Sequence, residues 1–428
     1  VVDAPPAQQQ RRLLAACAIV LTALNLRGAA TILSPIVDLV NQDVELDTVM
    51  QGVIGALPQL LFAGAGLITP LLVRRMSLPA LAGAAMVVTA GGQVLRASTN
   101  SDLAFCLSTG LIFLAIGVGN IVAPPTIKLF FPRHVGTMTS AYSITLGLST
   151  AVPPIYIVVL SHAVGWRIGL ASWAVPAFLA ALLWGVVILT SRRSRRASEP
   201  GEAPAPAAMR ETAAGGTNVD NRSAVSAADA PDESLAVWRT WQGWGIAVMM
   251  AAQSTVVYAM FAWLPALLRD AGVDAASAAF GLSLFTALGI LLGVVIPPMT
   301  SRQATLRPLL AVSTVCFAVG LIGLMVSPGH LSMLWVAALG LGPLTFCMIL
   351  VLIPLRARTQ MHASQLSAFV QGVGYLIAAA GPFLFGLLHD LSGGWTLPLA
   401  YLLACVAISL PFAVIGTRPG YVGDSARR

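Results

Sequence analysis

The sequence predicts an all-α polytopic membrane protein: twelve transmembrane helices in two six-helix halves related by a parallel repeat. Three observations predict it. Of 428 residues, 57% are hydrophobic and only 10% charged, against about 25% charged in soluble domains, and the mean hydropathy is +0.83. Apolar runs of the roughly 20 residues that a bilayer span needs recur along the whole chain. One polar stretch divides those runs six and six. Soluble enzymes, nucleic-acid binders and secreted disulfide scaffolds are excluded by this composition.

The first six runs cover residues 13–37, 49–73, 78–97, 103–127, 137–161 and 168–190. The second six cover 242–267, 277–300, 306–327, 331–354, 364–388 and 396–416. Gly and Pro inside many of them are tolerated in membrane helices, where neighbouring helices and side chains satisfy the freed backbone. The opening VVDAPPAQQQ lacks a basic-then-apolar signal pattern, and Val1, not being an initiator, implies that a few residues precede it. Residues 192–240 open with Arg192, Arg193, Arg195 and Arg196 and continue rich in Ala, Pro, Glu, Ser and Gly. Such a segment has too little apolar mass to bury a core and is expected to be a disordered cytoplasmic linker. The domain boundaries are then 1–191, 192–240 and 241–428.

Charge sets the orientation. With the N-terminus inside the cell, 20 of the 24 Lys and Arg lie on the cytoplasmic side; only Arg96, Arg167 and Arg269 fall outside, and Arg27 lies within a span. Basic residues flank spans on the cytoplasmic side, so both termini are expected there. The net charge of +7 is therefore a topology signal, and no nucleic-acid partner is expected. A shift of 227 residues carries Gly66, Pro70 and Arg75 onto Gly293, Pro297 and Arg302. It also carries Ser140, Ala141, Tyr142, Gly147 and His162 onto Ser367, Ala368, Phe369, Gly374 and His389. With an even number of spans per half, the repeat is parallel.

Arg27 carries the chemistry. It stands about 14 residues into span 1, on the order of 20 Å deep, where an unpaired guanidinium costs a few kcal/mol. No Asp or Glu lies inside a span, and the five histidines sit at helix ends. Arg27 must then meet backbone carbonyls, water or a visiting anion, and its planar, permanently charged fork suits the last. Asn25 lies two residues away, about 200° around a regular helix, so it shares a face with Arg27 only if the helix unwinds there. Gln371 and Tyr375 share a face of span 11, as Ser254 and Tyr258 do in span 7, while Gln253 looks elsewhere. Asn120 sits in span 4 among Gly117, Gly119, Pro124 and Pro125, where an interrupted helix would free backbone toward a cavity. Arg27, Asn25, Asn120, Tyr258, Gln371, Tyr375 and Gln253 are the candidate substrate contacts; interhelical hydrogen bonding is the alternative role for the polar ones. Lys128, Arg74 and Arg75, at cytoplasmic helix ends, are candidate gating groups or simple positive-inside anchors.

The cysteines (Cys17, Cys106, Cys316, Cys347 and Cys405) lie unpaired in apolar runs, so neither disulfides nor a metal site is expected, and no cofactor is indicated. Trp166, Trp173, Trp238, Trp241, Trp244, Trp263 and Trp395, near helix ends, are expected in the interfacial belt.

Five stretches in order carry a family resemblance: Asn25-Leu26-Arg27, Gly92-Gln93-Val94-Leu95-Arg96, and Pro125-Thr126-Ile127-Lys128-Leu129-Phe130-Phe131-Pro132. Tyr258 with Trp263-Leu264-Pro265, and Gln371-Gly372-Val373-Gly374-Tyr375 with Gly381-Pro382, complete them. Together they resemble the cyanate permease and 2-nitroimidazole transporter family of the major facilitator superfamily. The resemblance implies alternating-access transport of a small anionic or nitro-bearing polar solute across the cytoplasmic membrane by a monomer, with Arg27 as anion contact. In the loop after span 2, where the superfamily usually has Gly-x-Leu-Ala-Asp-Arg-x-Gly, this chain reads Pro70-Leu71-Leu72-Val73-Arg74-Arg75-Met76-Ser77. The acidic position is Arg74, so the usual latch at the inner gate is not expected. A carrier of the same fold exporting a neutral drug or metabolite is the alternative. A membrane enzyme would need a His, Asp, Glu or Cys cluster at one interface, and a channel would need more polar spans.

Overall fold

The computed structural model describes residues 6–198, 236–300 and 303–422. Among them there are only helices, 3-10 turns and loops. The first half runs α1 (Pro6–Asn25), α2 (Gly28–Thr31), a 3-10 turn (Ser34–Ile36) and α3 (Val37–Asn41), which together make span 1. It continues with α4 (Thr48–Val73), α5 (Leu78–Ser98), α6 (Asp102–Phe130), α7 (Val135–Ala151), α8 (Pro153–Val164), α9 (Trp166–Ser172) and α10 (Ala174–Ser198). The second half runs α11 (Trp241–Asp270), α12 (Ala275–Thr300), α13 (Gln303–Val326), α14 (Ser332–Leu341), α15 (Leu344–Leu355), α16 (Gln360–Ala378), α17 (Ala380–Ser392) and α18 (Thr396–Gly416). Eleven segments are long and apolar enough to cross a bilayer; α7 and α8, bent by 44°, make the twelfth.

The breaks follow the sequence. Pro153 and Pro154 remove helical donors and bend span 5. Gly342-Pro343 separates α14 from α15, and Gly381-Pro382 sits in the first turn of α17, where a missing N–H is harmless. In span 1 the helix stops at Asn25 and restarts at Gly28. Gly28 lies so close to Trp173 that an added Cβ would stand 2.7 Å from its indole Nε1. Side-chain caps fix other helix starts: Asp47 accepts from the Met50 N–H at 2.7 Å, and Thr240 from that of Gly243 at 3.2 Å.

The repeat is visible in contacts as well as in sequence. Asp43 Oδ2 accepts the Trp166 indole N–H at 2.9 Å, and Asp270, 227 residues later, accepts that of Trp395 at 2.9 Å. A glycine of positive φ lies one residue before Trp166 (Gly165, 87°) and another two residues before Trp395 (Gly393, 65°). In the first half α5 packs on α6 and α10, and α1 on α10; in the second, α11 packs on α16 and α18. The halves meet through α4 against α16 and α17, and α12 against α7 and α8.

One expectation changes at this level. Trp166, Trp173 and Trp263 are buried (7%, 6% and 4% exposed), so they are core residues and do not belong to an interfacial belt. The Trp263 indole N–H donates to the Pro382 carbonyl at 2.9 Å. Arg96, in the last turn of α5, is fully buried, with one Nη donating to Gln93 Oε1 at 2.7 Å. Its Nε and other Nη have no partner among the described residues. Helix α10 runs on to Ser198 and a 3-10 turn covers Val237–Arg239; residues 199–235, most of the expected linker, lie outside the described residues.

Candidate substrate site

Leu26 and Arg27 form the gap between α1 and α2, and Arg27 has φ −131° and ψ −21°. Unwinding there frees the side chain from the regular helical direction, at mid-span, where irregular backbone is tolerated only when protein or a cavity covers it. The guanidinium is half-buried. It makes no hydrogen bond and no ion pair among the described residues, and its Nε is buried without a partner. Its electrostatic neighbours are the Tyr258, Tyr375 and Tyr142 hydroxyls and the Cys347 thiol. The Phe346 ring lies 6.0 Å from its carbon centre.

These groups come from both halves: Arg27 and Tyr142 from the first, Tyr258, Phe346, Cys347 and Tyr375 from the second. Tyr258 and Tyr375 meet edge to face, centroids 6.5 Å apart, a preferred aromatic arrangement. The Tyr142 hydroxyl lies 3.4 Å from Asn120 Oδ1, so Asn120 joins the site through Tyr142. The result is one fixed cation, three hydroxyls and an aromatic wall, with no acidic side chain among the groups facing the cation. Such a site can bind a small anion or a polarised oxygen by charge and hydrogen bonds while stacking a planar body.

The remaining candidates are more dispersed. Asn25 is fully buried and its Nδ2 donates to the Leu21 carbonyl at 2.8 Å, while its Oδ1 is unpartnered. Gln371 is half-buried, one turn before Tyr375, and donates to Ser367 Oγ at 2.7 Å. Gln253 is buried and donates to Ser254 Oγ at 2.7 Å, so the structure does not gather it with the tyrosines around Arg27. Lys128, Arg74 and Arg75 are exposed at the linker end, with no ion pair among the described residues.

Sequence reasoning left out Tyr142 and Phe346 as site residues, and Gln59 as a contact between the halves. Gln59 is fully buried in α4 and donates to the Ala378 carbonyl at 3.2 Å, across the interface of the halves. The signal for Gln59 was an amide in an apolar run; Tyr142 and Phe346 gave none beyond their aromatic character. Between Arg27 and the end opposite the linker, the halves are joined. Ser34 Oγ donates to the Phe261 carbonyl at 2.6 Å, Arg269 Nη1 donates to the Pro35 carbonyl at 3.1 Å, and Arg269 Nε pairs with Asp38 at 3.0 Å. Ala29, Ala30, Ser34, Gln51, Tyr258 and Phe261 border a small cavity of about 40 Å³ there, room for roughly a water or two.

Two six-helix bundles, sealed together beyond a central cation that both of them surround, are the architecture of a secondary transporter. The Major Facilitator Superfamily profile matches residues 16–347, and the chain belongs to that superfamily; it is a multi-pass membrane transporter, not an enzyme. The chain is 29% identical over 416 residues to the 2-nitroimidazole transporter of Escherichia coli (strain K12), covering 96% of each chain. It is 26% identical over 409 residues to the cyanate transport protein of the same organism, covering 93% of this chain and 96% of the relative. Among solved structures, a bacterial homolog of the human lysosomal transporter Spinster, inward-facing and unoccupied, superposes with a TM-score of 0.70 at 13% identity, covering 97% of this chain and 98% of that one. This last likeness speaks for the fold.

Proposed function

We propose that the chain carries a small anionic or nitro-bearing polar solute, cyanate-like or nitroimidazole-like, across the cytoplasmic membrane by alternating access, with Arg27 as the central contact. The observation that carries this reading is the Arg27 guanidinium, uncapped and half-buried, with hydroxyls and rings from both halves around it. A visiting negative group supplies the counter-charge that the protein does not, offsetting the few kcal/mol of an unpaired intramembrane Arg. Tyr142, Tyr258 and Tyr375 add hydrogen bonds, with Asn120 and Gln371 behind them. Because ligands of the cation lie on both halves, substrate binding and the relative movement of the halves are coupled. The names of the relatives match this chemistry: one is a 2-nitroimidazole transporter, the other a cyanate transport protein.

Both termini and the linker face the cytoplasm in this reading, as the distribution of Lys and Arg supports. The joined end then faces outward, and the site communicates with the cytoplasm. The protein acts as a monomer. The test is uptake of labelled cyanate and of 2-nitroimidazole into proteoliposomes: Arg27→Gln abolishes transport while elution and melting stay near wild type. Undiminished transport of both by that variant, or transport of uncharged solutes alone, overturns the anion reading in favour of a neutral-substrate exporter.

A further inference from the structure

The end of the second half nearest the linker carries a second hollow, unrelated to Arg27. Trp238, Arg239, Thr240, Trp241, Trp244 and Phe412 line a surface cavity of about 420 Å³ at the start of α11. Trp238 and Trp241 are 60% and 73% exposed, as side chains of the interfacial belt are. Arg239, also exposed, is stacked on the Trp238 ring with its carbon centre 4.7 Å from the centroid. That holds the guanidinium in place and leaves its donors outward. Trp244 is tied down, its indole N–H donating to the Trp238 carbonyl at 2.9 Å and its ring edge-on to Phe369 at 5.2 Å. The Trp241 indole N–H has no hydrogen-bond partner among the described residues.

Three further features fix the chemistry of an occupant. The cavity opens at the N-terminus of a 30-residue helix, where Thr240 takes the Gly243 N–H and the Trp241 and Gln242 N–H groups make no hydrogen bond among the described residues, beside the positive end of the helix dipole. Among the described residues no acidic side chain lines the hollow. Gln242 Nε2 donates to the Arg418 carbonyl at 2.9 Å, which brings the exposed Arg418 next to the first turn of α11. On the membrane side Phe412 lines the cavity, and Ile408, one turn away on the same face of α18, is 63% exposed. The site therefore has a cationic, donor-rich mouth over an apolar track, at the level where Trp side chains meet the membrane–water interface.

We propose that this hollow binds the headgroup of an anionic phospholipid. The phosphodiester sits between Arg239, the free N–H groups of α11 and the Trp241 indole, and an acyl chain lies along Phe412 and Ile408. Basic pockets between transmembrane helices take lipid headgroups in this manner. The occupant is a lipid and not a soluble phosphate because four of the six lining residues are aromatic and Phe412 leads on to the exposed Ile408 of α18.

The test is native mass spectrometry of the detergent-purified full chain, titrated with phosphatidylglycerol, with phosphatidylcholine of the same chain length, and with inorganic phosphate. Phosphatidylglycerol is expected to bind about fivefold more tightly than phosphatidylcholine, the difference one basic residue makes near a charged headgroup. Arg239→Gln removes most of that preference, Arg239→Lys keeps it, and Trp241→Ala weakens both lipids. Equal binding of the two lipids to wild type, or an unchanged preference in Arg239→Gln, overturns the proposal. So does inorganic phosphate displacing phosphatidylglycerol at equal concentration, which would mark a soluble-anion site. Transport by Arg239→Gln is a separate readout, so failure here leaves the role of Arg27 standing.

Discussion

Ser34 Oγ donates a 2.6 Å hydrogen bond to the carbonyl of Phe261, the residue 227 positions later. That separation equals the offset of the internal repeat, so the bond joins equivalent places in the two halves and lies beside their pseudo-twofold axis. Asp38–Arg269 and Arg269–Pro35 flank it. This small group joins the two halves at the end of the molecule opposite the linker, beyond Arg27.

Removing Arg269 should therefore open that end. Asp38 is 69% exposed on its side chain, so the ion pair itself is worth no more than about 1 kcal/mol, and the Pro35 hydrogen bond adds a similar amount. Arg269→Gln is expected to shift the population toward the outward-open state about fivefold or more. With the native cysteines replaced, Ala262→Cys, at the small cavity below this seal, should label faster with an impermeant maleimide when Arg269 is also changed. Equal rates would show that the contacts do not hold the gate.

Gly28→Ala places a methyl group 2.7 Å from the Trp173 indole. Buried tryptophan has little room to retreat, and overpacking of this kind costs about 1–3 kcal/mol. The variant is expected to melt several degrees lower and to lose substrate affinity, because the break that aims Arg27 is displaced. An unchanged melting temperature would mean that the gap between α1 and α2 is not set by Gly28.

Tyr258→Phe keeps the ring packing on Tyr375 and Phe261 but deletes one hydroxyl near Arg27. The loss of one hydrogen bond, about 1 kcal/mol, corresponds to a KM about fivefold higher. Gln253→Leu, at a side chain directed to Ser254, should leave KM within about twofold. The opposite ranking in proteoliposome kinetics would move the site away from the tyrosines.

Asp274 precedes α12 and accepts the Ser277 N–H at 2.9 Å. Hydrogen bonds from the Ser277 side chain and backbone hold its carboxyl below the usual 3.8. A carboxyl depressed in the folded state stabilises above its unfolded value and loses that contribution as pH falls through the folded one. Asp274→Ala should thus melt below wild type at pH 7, and the gap should narrow below about pH 4. A gap independent of pH would contradict the cap.

What the sequence disclosed divides along physical lines. Spans, their number and the repeat were legible because bilayer crossing is a property of composition over about 20 residues, which the runs 49–73 and 396–416 show plainly. Arg27, Tyr258 and Tyr375 were legible as polar groups that lipid disfavours. Tyr142 and Phe346 were not, since an aromatic residue in an apolar run looks the same facing lipid, core or cavity. Nearness to a helix end misplaced Trp166 and Trp263, because their burial depends on partners 119 to 123 residues away. Arg96 was placed by its position near the end of span 3, and only the packed bundle around it makes it buried.

The most direct measurement is the melting temperature of detergent-purified wild type and Arg27→Gln, titrated with cyanate, with 2-nitroimidazole and with an uncharged isostere. A ligand of the folded state raises stability by mass action. Wild type should gain several degrees with cyanate or the nitroheterocycle and little with the isostere, and Arg27→Gln should gain with none. A variant that is stabilised by these ligands as strongly as wild type would contradict the role assigned to Arg27.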